Sequence, residues 1–202
     1  MQVDAVWWPR FALMAPHLIG WERQYRSGAL RKLAEVEAAA TPIDGTGVAL
    51  SGRADRIDLH PNGLADILDY KTGSSPTRRN AHLLVAPQLA LEAALLDRGA
   101  FGEAGSQQAG DLVYVRLRAR GDVENDSILT FNNKTRLASE MAEDAWERLR
   151  KLILYYSNPD NGYLSRAMPY KENDADGDYD HLARVLEWSA GGESDEDEPV
   201  TE

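Results

Sequence analysis

The stretch GRADRIDLHPNGLADILDYKTG, residues 52–73, decides how the rest of the chain is read. Two apolar runs flank Pro61-Asn62-Gly63, and Asn-Gly between alternating apolar residues is a strong hairpin signal. A three-residue loop with Gly63 in the left-handed conformation pairs His60 with Leu64. Counting outward, Leu59 then faces Ala65, Ile57 faces Ile67, Asp55 faces Asp69 and Arg53 faces Lys71. Facing residues of an antiparallel pair share one side of the sheet. That side is apolar near the turn and becomes charged farther along, like the floor of a cleft.

Facing Cβ atoms lie about 5 Å apart. Two bare carboxylates at that distance repel by ~3 kcal/mol at an effective dielectric near 20. A divalent cation reverses the sign, and oxygen ligands with room for water suit Mg²⁺. Lys71 follows Asp69 by two residues on the same side, where an ammonium can hold a phosphate oxygen or a water. A cation site with a lysine beside it can hydrolyse a phosphodiester. The plainer reading makes Asp55–Lys71 and Asp69–Arg53 diagonal ion pairs on a solvated face. Asp58 and Asp66 face each other on the opposite side and are expected to be solvated.

Outward from the hairpin, Phe11 to Arg26 reads as a helix after Pro9, and the alanine-rich Ala29 to Ala40 as either a helix or a first strand. A helix opens at Pro87 and runs to about Leu96. Within it Gln88 and Glu92 sit one turn apart on one face; they line the cleft or are simply wet. Asp111 to Arg118 alternates as a strand, and Leu137 to Tyr156 has the periodicity of a long amphipathic helix. This order predicts an α/β fold, a mixed sheet with helices packed on it.

The 202 residues suffice for one domain with a real core, and no run approaches a membrane span. Met1 to Arg10 lacks a charged-then-apolar leader pattern, which reads as a cytoplasmic chain. With no cysteine in these residues, disulfides, Cys-ligated zinc and an iron–sulfur cluster are excluded. The net charge of −11 speaks against nucleic acid at first sight. Much of the excess lies in Glu172 to Asp180 and in the Gly/Ser-rich acidic tail from Glu193, which is expected to be disordered. Basic spots remain at Arg78-Arg79, at Arg116, Arg118 and Arg120, and at Lys134 with Arg136.

Three motifs together, Gly52-Arg53-Ala54-Asp55-Arg56-Ile57-Asp58, Leu68-Asp69-Tyr70-Lys71-Thr72-Gly73 and Gln88-Leu89-Ala90-Leu91-Glu92, resemble the RecB-like branch of the PD-(D/E)XK nucleases. Gly162 to Arg166 and Gly177 to Ser189 resemble the C-terminal end of AddB-type double-strand-break repair subunits of the alphaproteobacterial kind. The resemblance implies a restriction-endonuclease-like mixed β-sheet flanked by helices over residues 1–190, with 191–202 as the acidic tail. It implies a Mg²⁺-dependent (or Mn²⁺-dependent) DNA exonuclease working with an AddA-type helicase–nuclease partner in recombination and repair, without a membrane.

By the same resemblance Asp55 and Asp69 bind the metal, Lys71 positions the attacking water and steadies the transition state, and Gln88 orders the cleft. Relatives often carry Tyr where Glu92 stands. The iron–sulfur staple of other AddB proteins is missing. The family also places an acid or His on a helix upstream of the first strand. Here only His17 and Glu22 lie far enough upstream, without the family's local pattern, so that first helix is expected to be absent and the isolated chain to cut slowly. Glu35 or Glu37 could supply an acid from the first strand, and Arg53 could join the site. The rival reading keeps the nuclease scaffold as a non-catalytic structural or DNA-binding module.

Overall fold

The computed structural model describes residues 2–25, 28–118 and 121–162, and of residues 2–7 the backbone alone. The chain divides into two compact units, Met1–Tyr155 and Tyr156–Glu202. The fold and site below belong to the first. The acidic tail and the motifs beyond Gly162 lie outside the described residues.

In chain order the elements are α1 (Gln2–Gln24), β1 (Arg31–Ile43), β2 (Val48–Leu59), β3 (Leu64–Lys71), α2 (Arg78–His82), α3 (Gln88–Asp97), β4 (Gln108–Arg116), β5 (Glu124–Ser127), β6 (Thr130–Phe131), β7 (Lys134–Thr135) and α4 (Ala138–Ser157). Strands β1 to β5 form one mixed sheet in sequence order. The β1–β2–β3 meander is antiparallel, β3 and β4 run parallel, and β5 returns antiparallel to β4. A parallel pair cannot be closed by a tight turn, so the chain crosses over through α2 and α3 between β3 and β4. The ambiguous alanine-rich stretch is strand β1, held by ten register pairs to β2. Local alanine propensity yields there to a partner strand already specified by the hairpin.

The Pro61-Asn62-Gly63 loop sets the expected register: Leu59 pairs with Ala65 and Ile57 with Ile67. Gly63 has φ +81°, and His60 N–H donates to the Leu64 carbonyl at 2.9 Å. Glycine adopts that backbone conformation without a Cβ penalty.

Both faces of the sheet are covered. On one, Ile57, Ile67, Leu112 and Tyr114 pack with Leu89, Ala93 and Leu96 of α3 and with Met141, Ala145 and Trp146 of α4. On the other, Leu68, Val113 and Val115 pack with Trp21 of α1 and with Tyr25 and Tyr70. Double coverage explains why Ile67 and Leu68 are adjacent and both fully buried, a pattern natural to a central strand.

This second layer overturns the expectation that Asp58 and Asp66 are solvated. Asp58 is 0 % exposed and takes a bidentate pair from Arg56, at 2.6 Å from Nε and 2.7 Å from Nη2. Arg56 also reaches Glu22 of α1 at 2.6 Å and the Tyr70 hydroxyl at 3.0 Å, with Trp21 5.8 Å from its guanidinium carbon. Its guanidinium is held firmly protonated by those hydrogen bonds against the cost of burial. Asp66 accepts the Asp111 backbone N–H at 2.8 Å and pairs with His60 at 2.8 Å. Asp58 is enclosed with Arg56 beside it, and Asp66 is half-buried where the Asp111 N–H of β4 reaches it; the covering by α1 and β4 is not visible in the hairpin's own sequence.

Candidate active site

At the C-terminal end of β3 the two strand faces diverge in chemistry. Asp69 points to the α3 face and is 3 % exposed. The β2–β3 ladder runs up to the pair Arg56 and Leu68, and one further step of that register sets Asp55 opposite Asp69. Instead of continuing the backbone ladder, the Asp55 carboxylate itself takes the Tyr70 N–H, at 2.9 Å from Oδ2. That hydrogen bond fixes Asp55 beside the Asp69-Tyr70-Lys71 segment.

Lys71 turns back on Asp69, with Nζ 2.7 Å from Oδ2. It also donates to Gln88 Oε1 at 3.2 Å. Gln88 Nε2 donates to Asp69 Oδ1 at 2.6 Å and to Glu92 Oε1 at 3.1 Å. Asp69, Lys71 and Gln88 thus close a ring, with Glu92 attached beneath it. The amide orientation follows from chemistry: two carboxylates need the NH₂, and the ammonium needs the carbonyl oxygen. Helical spacing of four puts Gln88 and Glu92 on one face of α3, while Leu89, Ala93 and Leu96 anchor that helix in the core.

The electrostatics of this cluster are those of crowded carboxylates. Asp69 is raised above the ordinary range, first by burial and then by the charge of Asp55, against the opposing pull of Lys71 and Gln88. Glu92 is pushed up to about 7, chiefly by burial, with the charges of Asp69 and Asp55 adding to it and the Gln88 hydrogen bond opposing it. The Tyr114 phenol is raised as well, by burial and by the charges of Asp69 and Glu92. Tyr114 stands beside Asp69 in the parallel β3–β4 register, and Lys71 Nζ lies 5.6 Å from its ring centre. Its hydroxyl and Glu92 Oε2 are buried without a hydrogen-bond partner among the described residues.

Among the described residues no three His, Asp or Glu side chains converge on one point as a finished ligand shell. Gln88 stands between Asp69 and Glu92 and donates to both. The donor chemistry nonetheless fits a hard divalent cation: the donors are carboxylate oxygens, they repel one another, and Glu92 Oε2 is buried with its hydrogen-bonding capacity unused.

The remaining sequence candidates fall elsewhere. Glu35 and Arg53 pair with each other at 3.1 Å, with side chains 62 % and 60 % exposed. No hydrogen bond or ion pair of the described residues joins either to Asp69, Lys71, Gln88 or Glu92. The diagonal pairs Asp55–Lys71 and Asp69–Arg53 are not the ones formed, because Lys71 folds back onto its own strand's acid and Arg53 finds Glu35. A helix does precede the first strand, yet its Glu22 goes to Arg56 and to Lys32, at 2.5 Å from the latter, on the other face of the sheet. Sequence reasoning missed Tyr114; its alternation with Leu112 along β4 was the available signal.

A sequence model of the PD-(D/E)XK nuclease superfamily matches residues 3–190. Two Rickettsia proteins described as uncharacterized share shorter stretches. That of Rickettsia felis is 34 % identical over 79 residues, covering 39 % of this chain and 9 % of the relative. That of Rickettsia conorii is 38 % identical over 64 residues, covering 32 % of this chain and 8 % of the relative. The matches therefore span a small part of much longer proteins. The solved structure called "Putative exonuclease" from Eubacterium rectale superposes with a TM-score of 0.50 at 14 % identity, over 95 % of this chain and 63 % of that one. At that identity the likeness concerns the fold.

Proposed function

Because the chain belongs to the PD-(D/E)XK nuclease superfamily, we propose that it hydrolyses DNA phosphodiesters in a Mg²⁺-dependent reaction, as an exonuclease, at Asp55, Asp69, Lys71 and Gln88. The observation that carries this reading is the ring in which Gln88 of α3 holds both Asp69, at 2.6 Å, and Lys71, at 3.2 Å, at the end of β3. A buried acid and a half-buried lysine locked together by a helix residue add nothing to a simple scaffold, and an apolar trio would pack there more cheaply.

Asp55 and Asp69 would hold the cation, which when bound neutralises their charge and withdraws electron density from the phosphodiester. Lys71 supplies an ammonium whose donors can turn from Asp69 to a non-bridging phosphate oxygen, where negative charge grows as a water oxygen bonds to phosphorus. The phosphorus–oxygen bond to the leaving nucleotide breaks, and the departing alkoxide takes up a proton equivalent to the one the attacking water gives up. Gln88 keeps Lys71 and Asp69 in one geometry, and a misplacement of about 1 Å can cost ~100-fold in rate. Tyr70 contributes through its backbone, whose N–H orients Asp55.

The segments Gly162 to Arg166 and Gly177 to Ser189 support a finer reading: an AddB-like nuclease portion acting in double-strand-break repair in the cytoplasm beside an AddA-type helicase–nuclease subunit. Degradation of end-labelled linear DNA with and without Mg²⁺, by the chain and its Asp69→Asn variant, tests the chemistry. Co-purification with an AddA-type subunit tests the partnership.

A further inference from the structure

We infer that Glu35 is a positioning residue for Asp55, acting through its left-handed backbone and not through its carboxylate. The conformation there slips the alternation of β1 and β2 and frees the Asp55 carboxylate to take the Tyr70 N–H beside Asp69 and Lys71. The consequence for catalysis rests on the reading of Asp55 as part of the nuclease site; the consequence for the placement of Asp55 does not.

Glu35 has φ +53° inside strand β1. A side chain with a Cβ adopts that conformation only at a cost, and Glu lacks the short polar group that eases it for Asn. Its own contacts do not offset the cost, because it pairs with Arg53 where both side chains are more than half exposed. The effect on the sheet is direct. The pairs Leu33–Ile57 and Val36–Ala54 are three residues apart on both strands, yet all four side chains are buried in the same core cluster. Strict alternation would send the two pairs to opposite faces. One residue of each strand is taken up in the slip: the ladder steps from Ala34–Arg56 to Val36–Ala54, passing over Glu35 and Asp55.

Asp55 is passed over on its other side too, because the β2–β3 pairs begin at Arg56 and Leu68. Lying outside both ladders, it borders a cavity of about 600 Å³ between α1 and the sheet, with Arg56 and Tyr70, and its Oδ2 takes the Tyr70 N–H at 2.9 Å. That N–H belongs to the peptide joining Asp69 to Tyr70, so the bond ties the Asp55 carboxylate to the backbone that carries Asp69. In an uninterrupted strand Asp55 would meet β3 through its own backbone, and its carboxylate would follow the alternation of its neighbours. Irregularities in a ladder re-aim side chains in this way beside active sites. Strained backbone persists where its surroundings hold it, and here the four buried side chains flanking the slip do so.

The whole chain carrying Glu35→Gly, Glu35→Gln or Glu35→Val tests this, with hydrogen exchange of the Tyr70 amide followed by nuclear magnetic resonance in metal-free buffer. Gly adopts the left-handed backbone freely, Gln keeps the conformational cost of Glu without its charge, and β-branched Val resists the conformation. Glu35→Val should speed Tyr70 exchange ~10-fold or more while the Ile67 amide of the adjoining ladder stays protected. It should slow the Mg²⁺-dependent release of label from linear DNA by a similar factor. Glu35→Gln and Glu35→Gly should keep Tyr70 protected, Gly rescuing what Val loses. Lost protection in Glu35→Gly would overturn the proposal and return the role to the side chain, a result that decides even where Glu35→Val fails to fold. Undiminished protection in a folded Glu35→Val would overturn it as well. The expected exchange pattern in proteins that cut no DNA would leave the role of Glu35 standing and overturn the nuclease reading instead.

Discussion

Gln88 Nε2 lies 2.6 Å from Asp69 Oδ1, so a residue of helix α3 fixes the acid of strand β3 from across the sheet–helix interface. The same amide spans to Glu92 and, through its oxygen, to Lys71. Four residues from two elements thereby share one hydrogen-bonded arrangement, and the following predictions probe its parts.

Removing the bridge should loosen both chemistry and fold. Gln88→Ala leaves Asp69 Oδ1 and Glu92 Oε1 without their common donor, and each stranded buried acceptor costs about 1–3 kcal/mol. Urea unfolding near pH 8 should show a loss of about 1–3 kcal/mol, because part of the space refills with water. Cleavage should fall ~10- to 100-fold as Lys71 loses its fixed position. A variant as stable and as fast as the wild type would mean that the amide is incidental.

The raised acids make stability fall with pH. Glu92 titrates at about 7 in the folded protein and at 4.5 as a free side chain. Between those values the folded state binds more protons than the unfolded one, so stability declines as pH rises from 4.5 to about 7 and then levels off. Asp69, displaced the same way, adds to the decline. The Glu92 contribution is about 3 kcal/mol. Glu92→Gln should flatten the profile, matching the wild type near the acid end and exceeding it above neutrality. Unfolding free energies across this range measure the slope; a wild-type curve that rises through neutrality would contradict the burial of these acids.

How much of this was readable in advance divides cleanly by range. Pro61-Asn62-Gly63 is a local signal, and it carried the β2–β3 register, the placement of Ile57 against Ile67 and the approach of Asp55 to Asp69. The four-residue spacing of Gln88 and Glu92 was likewise local. What stayed hidden depends on partners far along the chain. Asp58 reads as solvated until Glu22, 34 residues upstream of Arg56, and Trp21 arrive with α1 over Arg56. Glu92 reads as wet as easily as buried, because α3 is apolar almost all round and has no strong polar side to orient it. Tyr114 enters through a parallel pairing that no turn announces.

The buried Arg56 network is the structural counterpart of the site on the opposite face. Arg56→Met strips Asp58 of its bidentate partner while Asp58 remains fully enclosed. Breaking one side of a buried pair costs about 3–5 kcal/mol. The melting temperature should therefore drop sharply, and Asp58→Asn should lower it too, although neither residue touches Asp69. Cation affinity of whatever fraction stays folded should be close to that of the wild type. A mild loss in Arg56→Met would mean that α1 grips the sheet through its aromatic residues alone.

The central claim is that Lys71, held by Asp69 and Gln88, takes part in Mg²⁺-dependent phosphodiester hydrolysis. The most direct measurement is the rate at which Lys71→Ala and the wild type release label from end-labelled linear DNA at equal concentration, with Mn²⁺ affinity and melting temperature recorded on the same samples. The account predicts Mg²⁺-dependent cutting by the wild type and a fall of ~100-fold or more in Lys71→Ala with cation binding retained. Cutting that survives Lys71→Ala unchanged, or a folded wild type that binds the cation and yet cuts nothing, would contradict it.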